Sequence, residues 1–297
     1  MNPLAADLIA VLVAVTDGAP RVLTIQDGRA LPSGPFELDH RSLQSGLRAW
    51  VEQQTHHPLG YVEQLYTFAD RDRAREIAGR AISISYLGLT REGPASGGYE
   101  AGWQGWYTYF PWEDFRGGPP APIDAIATAL RAWADAAAGR NDRWQRAAVT
   151  FGLEGRDWNE ELVLQRYELL YEAKLVAEAR GTLPAALTGQ PMHADHRRIL
   201  ATGIARLRAK IKYRPVVFEL MPPDFTLLRL QRTVEGIAGR PLHKQNFRRL
   251  VETQALVEET GAMAADTGGR PAKLYRFRRE ILAERAVSGT KLPLARG

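Results

Sequence analysis

The sequence predicts an α+β protein of two domains, and three features carry that reading. Segments with β-type patterning alternate with amphipathic helices up to about residue 212. The remainder orders its signals as helix, Gly/Pro turn, helix, strand, loop, strand. The basic excess is confined to that second part. At 297 residues and 45% hydrophobic, the chain is long enough to bury two cores. The expected division is 1–212 and 213–297, with the joint near Tyr213.

The N-terminal part opens on a hairpin. Asp7–Val15 is an apolar strand, with an unbroken apolar run from Leu8, 16–20 (Thr-Asp-Gly-Ala-Pro) is a turn, and Arg21–Ile25 is the partner strand. The stretch 31–35, Leu-Pro-Ser-Gly-Pro, is a loop. Ser42 then caps a helix reaching about Gln54, with Leu43, Leu47, Trp50 and Val51 on its apolar side. Two strands follow, 61–68 and 81–89, joined by the charged run that starts at Asp70. Residues 99–115 are rich in aromatics, including Trp103, Trp106 and Trp112. Helices are expected over 122–139, 158–181 and 196–212, and a short strand over 214–220.

The C-terminal part reads as a helix-turn-helix with a wing. The first helix follows Phe225, the turn contains Gly239 and Pro241, and the second helix starts after His243. In the second helix Lys244, Gln245, Arg248, Arg249 and Glu252 share one face, and Phe247, Leu250 and Val251 fall on the other. A Lys/Gln/Arg front on an apolar back suits major-groove edges and phosphates. Asn246 lies between the faces. Residues 256–260 and 271–279 are strand-like and flank a small, glycine-containing loop. Arg270 and Lys273 fall at that wing, in reach of phosphate or minor groove.

Charge placement agrees. Residues 240–297 hold twelve Lys/Arg against six Asp/Glu, a net of +6, and the whole chain is +5, so 1–239 sums to about −1. With no cysteine, disulfides, cysteine-containing zinc sites and a cysteine nucleophile are excluded. The N-terminus lacks a basic signal region, and the apolar run 8–15 is too short for a membrane span, so a cytoplasmic protein is expected.

Strand hairpin, Leu-Pro-x-Gly loop, helix and two further strands follow the order of a Nudix domain, and 31–55 resembles a Nudix box with one residue inserted. The resemblance implies an α/β/α sandwich. A working box needs an Arg-Glu-x-x-Glu-Glu core whose carboxylates hold magnesium. Here Ala49 and Trp50 stand at the Arg-Glu pair, and Gln53 and Gln54 at the Glu-Glu pair. Amides are poor magnesium ligands and Trp50 is none, so only Glu52 offers a nearby carboxylate. The expectation is a nucleotide-shaped cleft without its hydrolytic chemistry, no required cofactor and no metal.

Together with the winged helix, the segments 64–70, 214–222, 225–231, 239–249 and 269–277 resemble the Nudix-related transcriptional regulators of NAD metabolism. The segment from about 99 to 181 looks like a helical insertion compared with the compact members, and together with the degenerate box it is similar to the longer, alphaproteobacterial NadQ-like form. The resemblance implies a homodimeric repressor of NAD biosynthesis or salvage genes. It would bind double-stranded DNA at a palindromic operator and respond to ATP, NAD(H) or ADP-ribose. It adds Thr226 and His243 to the DNA-binding set of Lys244, Gln245, Asn246, Arg248, Arg249, Arg270 and Lys273. His243 stands where relatives often carry a capping Asp, so capping is weaker or comes from elsewhere.

The expected ligand-binding set is Gln64, Phe68, Arg71, Arg73, Arg80 and Trp106. The arginines of 71–80 suit bidentate phosphate contacts, or an exposed loop with internal Asp/Arg pairs. Trp103, Trp106, Tyr107 and Trp112 suit adenine stacking, or core and dimer packing. The pairs His56/His57 and His193/His196 have metal-like spacing without a carboxylate cluster. Two other functions compete with the regulator. An active pyrophosphatase on ADP-ribose or a related nucleotide is disfavoured by the box. An RNA-binding protein is disfavoured by the absence of an aromatic platform in the C-terminal part.

Overall fold

The computed structural model describes residues 5–69, 81–94, 99–136, 138–181, 183–264 and 271–281. The chain folds as two compact units. The first holds residues 1–220 and 233–241, and the second holds 221–232 and 242–297.

The first unit is built on a mixed sheet. The strands are β1 (Ala5–Thr16), β2 (Ala19–Thr24), β3 (Ser33–Pro35), β4 (Tyr61–Phe68), β5 (Ala81–Leu89) and β6 (Gly102–Gly105). Their order is β4-β5-β1-β2-β6, with β3 paired to β1, and the β1–β5 pair is the parallel one. Central β1 reads as an unbroken apolar run because both its faces are covered: Leu8, Ala10 and Leu12 are buried, and so are Ile9, Val11 and Val13.

Helix α1 (Leu43–Thr55) closes one face. Its Leu47 and Val51 join Leu8, Ala10, Leu12, Leu23 and Tyr86 in a single core cluster. Each Leu or Val side chain in it contributes about 1.5–3 kcal/mol on full burial. Ser42 caps α1 as expected: its Oγ accepts from Ser45 N at 3.1 Å, and Ser45 Oγ accepts from Ser42 N at 2.8 Å.

The insertion carries α2 (Pro122–Asp135), α3 (Arg140–Phe151) and α4 (Val163–Glu172), followed by the short α5 (Ala185–Thr188) and then α6 (His196–Lys210). Helix α6 lies along β4: Lys210 Nζ donates to Tyr61 OH at 2.8 Å, and the Arg198 guanidinium stands 4.9 Å over the Phe68 ring. Helices on both faces give the expected α/β/α sandwich. The insertion's core is aromatic, with Trp106, Tyr109, Phe110 and Trp112 all 0% exposed. It also encloses an ion cluster. Glu113 accepts from the guanidinium groups of both Arg166 and Arg208, and all three side chains are buried. Burial of these charges is tolerated because the donors are also used: Arg166 bonds Thr150 O at 3.0 Å and Asn159 O at 2.9 Å.

Three expectations fail for local reasons. The strand expected over 214–220 is a 3-10 helix, Val216–Leu220. Val217, Phe218 and Leu220 are buried without strand alternation, and Phe218 N bonds Pro215 O at 3.3 Å. The long helix expected over 158–181 is shorter, Val163–Glu172. The chain breaks at Lys174 (φ 55°), where Leu175 N reaches back to Leu170 O at 2.9 Å. Helix α3 was not expected, because its Arg-Asn-Asp-Arg opening hides the inward row of Ala147, Ala148 and Phe151.

The second unit contains the end of the chain. Helix α7 (Leu227–Ala238) is shared between the units, with 227–232 in the second and 233–238 in the first. Then come α8 (Lys244–Thr253), β7 (Val257–Ala264) and β8 (Ala272–Phe277), the strands forming an antiparallel hairpin. Phe225 pairs with Tyr275 by two backbone bonds of 2.9 and 2.8 Å. Helix, turn, helix and hairpin reproduce the expected winged arrangement.

Candidate nucleic-acid interface and box helix

Helix α8 turns Val251 inward, with Phe247 half-buried beside it. Leu250, expected on the same inner face, is 55% exposed. At i−1 from Val251 it falls about 100° away around the helix, off the narrow buried stripe. Lys244, Gln245, Asn246, Arg248 and Arg249 are exposed. Among the described residues their side chains have neither ion-pair nor hydrogen-bond partners. His243 is the N-cap, with extended φ −68° and ψ 114° and no side-chain cap bond. The first amides of α8 and the Lys244 ammonium thus stand together, an arrangement suited to an anion. The turn before α8 is fixed by buried Gln231, whose Nε2 donates to Leu242 O at 3.1 Å.

Two other expected DNA contacts have internal roles. Thr226 Oγ1 accepts from Arg229 N at 3.1 Å and so caps α7. On the wing, Lys273 Nζ bonds both Glu259 carboxylate oxygens, at 2.8 and 2.9 Å, and Arg276 lies 3.6 Å from Glu258. The Glu259 carboxylate holds the Lys273 ammonium above its ordinary pKa. Arg270 lies outside the described residues.

In the first unit two of the box positions, Trp50 and Gln54, are occupied by groups that bind the protein itself. The Trp50 ring lies on Gly34, where an added Cβ would come within 2.3 Å of it, and Trp50 Nε1 donates to Pro35 O at 2.9 Å. Buried Gln54 accepts from Ser33 N at 3.0 Å and donates to Ser33 O at 2.8 Å. A carboxylate could not make the second bond. Gln53 and Glu52 face solvent. From the opposite side of this loop, Leu31 N donates to His196 Nδ1 at 2.9 Å. Burial pushes the His196 pKa down to about 4, so the ring stays neutral and can accept.

Among the described residues, the expected ligand set Gln64, Phe68 and Trp106 does not converge. Gln64 is exposed on β4, and Phe68 is buried on the same strand under Arg198. Trp106 follows β6, at the opposite edge of the sheet, and its 0% exposure leaves no ring face open. Arg71, Arg73 and Arg80 lie outside the described residues, as does Arg75. Tyr66, 58% exposed and edge-on to Phe68 at 4.9 Å, is an open aromatic on β4 that sequence reasoning passed over. Strand alternation was the available signal, but a bulge between Gln64 and Tyr66 resets it.

The histidine pairs serve the fold. His57 bonds Thr90 Oγ1 at 3.1 Å, and His193 N donates to Arg29 O at 2.8 Å. Among the described residues, the group that brings His and carboxylates together is Glu37, Asp39 and His40 in the loop before α1. There His40 Nδ1 already accepts from Glu37 N at 3.0 Å. No described helix is long and apolar enough to cross a membrane.

A family model for the NrtR DNA-binding winged helix domain matches residues 217–277. An ADPR responsive transcriptional repressor NtrR of Acinetobacter baylyi is 45% identical over 83 residues, 28% of this chain and 33% of that protein. The chain thus matches about a third of that relative's length. Shewanella oneidensis NrtR, solved in complex with a 27mer DNA, superposes with a TM-score of 0.56 at 21% identity, over 92% of this chain and 93% of that one. A MutT/nudix family protein from Enterococcus faecalis superposes with a TM-score of 0.57 at 15% identity, over 94% and 88%. The chain therefore has the fold of a Nudix-like domain followed by a winged helix, and residues 217–277 match the family model of the NrtR DNA-binding winged helix domain.

Proposed function

We propose that this protein is a ligand-responsive DNA-binding repressor acting in the cytoplasm. Its winged helix reads an operator, and its Nudix-like domain senses an adenine nucleotide without hydrolysing it. The observation that carries the reading is the exposed, unpartnered row Lys244, Gln245, Arg248 and Arg249 on a helix matched to NrtR winged helices. Ionised and amide groups left without internal partners gain most from phosphates and base edges. ADP-ribose is the first effector to test, because the Acinetobacter relative is named as ADPR responsive. ATP and NAD(H) come next. NAD biosynthesis or salvage genes are the proposed targets.

The absence of hydrolysis is argued from the box. Trp50 and Gln54 direct their polar atoms at Pro35 and Ser33. Neither supplies the negative charge that a magnesium ion needs. One winged helix covers one half-site, so a homodimer on a palindrome is the proposed binding form.

The test selects bound fragments from the source genome, then measures operator affinity by fluorescence anisotropy with and without ADP-ribose, NAD and ATP. A palindromic site whose affinity changes at least about fivefold with one nucleotide supports the reading. Equal affinity for operator and scrambled DNA, under all conditions, overturns it.

A further inference from the structure

Among the described residues, the exposed cations of α8 stand without ion-pair partners, whereas the wing meets each of its own with a carboxylate. Strands β7 and β8 contain two basic residues, Lys273 and Arg276, and two acidic ones, Glu258 and Glu259. Lys273 Nζ bonds both Glu259 oxygens, at 2.8 and 2.9 Å, and Arg276 Nε lies 3.6 Å from Glu258 Oε1. The register explains the pairing. Glu258 stands directly opposite Arg276, and Glu259 stands opposite Tyr275, which shares its face with Lys273. Successive residues of a strand point to opposite faces, so one pair occupies each face of the hairpin. Whichever face meets a ligand, its cation arrives with a carboxylate attached.

The stability of the hairpin does not account for these carboxylates. Glutamate is depleted in strands. All four side chains are more than half exposed, so each pair adds little to stability. In a DNA-binding domain the acids also work against binding. A glutamate beside phosphates repels them, and a cation held by a carboxylate must give up that partner before it can displace counterions from DNA. Residues 240–297 are +6 overall, yet the paired strands of the wing are neutral.

We infer that Glu258 and Glu259 restrain the wing's grip on DNA. They serve as internal counterions for Arg276 and Lys273, so that the wing adds little sequence-independent affinity and α8 carries the binding. Phosphates are offered by every stretch of a genome, and competing sites far outnumber an operator. A wing with free cations would leave more of the protein on bulk DNA. Glu258 and Glu259 are therefore positioning residues, acting through Arg276 and Lys273 rather than by touching DNA. The inference rests on the DNA-binding reading and names the residues that set the strength of that same interface.

The experiment uses the full chain and a random-sequence duplex, with affinity measured by fluorescence anisotropy over a range of salt concentrations. Glu259→Gln should bind the duplex about two- to fivefold more tightly at low salt, the range an exposed ion pair can supply. The slope of log affinity against log salt should steepen by about one, as one more phosphate is neutralised. Glu258→Gln should act in the same direction and less, because the Arg276 pair is longer. A gain of affinity cannot come from a damaged fold. The same change is then made in a Lys273→Ala background, where the gain should fall below about 1.5-fold, since the carboxylate has lost the cation through which it acts. No gain in Glu259→Gln overturns the inference. An equal gain with Lys273 removed overturns it too, because the carboxylate then acts as bulk charge alone. A parent protein that binds no duplex at low salt overturns the DNA-binding reading itself, and the inference with it, whereas a parent that binds beside unchanged variants overturns the inference alone.

Discussion

Helices α1 and α8 are both amphipathic, and both stand where a partner would be expected, but they spend their polar groups in opposite ways. In α1, Arg48 donates to Gly60 O at 3.1 Å, Trp50 donates to Pro35 O at 2.9 Å, and Gln54 makes two bonds to Ser33. In α8, Lys244, Gln245, Arg248 and Arg249 end in solvent. A polar group already satisfied inside the protein has little to gain from a ligand, whereas an exposed one gains whatever the partner supplies. The box helix has become a clamp on β3. Helix α8 has stayed open.

The comparison breaks first at Gln54. Replacing it with Leu strands the Ser33 N–H and C=O together, and should cost about 2–4 kcal/mol of stability in denaturant unfolding. Gln54→Glu keeps the acceptor and loses the donor, so it should fall between the two. Full stability in Gln54→Leu would mean that the clamp is incidental.

His196 tests the other side of the same loop. Its folded pKa of about 4 lies below the ordinary 6.5, so the neutral ring favours the folded state. That contribution is fully present above pH 6.5, falls as the pH drops, and is gone below about pH 4. The parent should lose about 2–3 kcal/mol more than His196→Gln between neutral pH and pH 4. Parallel stability curves for the two proteins would remove His196 from the account.

For α8, Arg248→Ala and Arg249→Ala should each weaken operator binding. A base-reading arginine costs about 1–3 kcal/mol and relaxes preference at one operator position. The smallest effect belongs to the wing. Lys273 begins paired with Glu259, so Lys273→Ala should weaken binding less than either arginine change and weaken all sequences alike. A larger loss at Lys273 than at either arginine would reverse the assignment of reader and wing.

Much of this was legible in the sequence because the signals were local. Ser42 announced α1, the unbroken apolar run announced a strand covered on both faces, and the step of three and four announced α8. The expected charged face of α8 is exposed as its spacing required. What stayed hidden depends on contacts distant in sequence. Tyr107 meets Gly236 across 129 positions, and no pattern within either segment marks the pair. Trp106 and Trp112 have the composition of a stacking platform, and only burial shows them as core. The box substitutions could be read as losses of charge, but not as a clamp, because the use of Gln54 depends on where Ser33 lies.

The central claim is that the Nudix-like domain senses without catalysing while the winged helix reads DNA. The most direct test puts one protein preparation through two assays with ADP-ribose and magnesium: AMP release, and operator affinity. The account predicts no AMP above a protein-free control, from protein whose operator binding changes with the same ADP-ribose. EDTA-sensitive release of AMP would contradict it, and would mean that carboxylates outside the Trp50, Gln53 and Gln54 positions hold the metal.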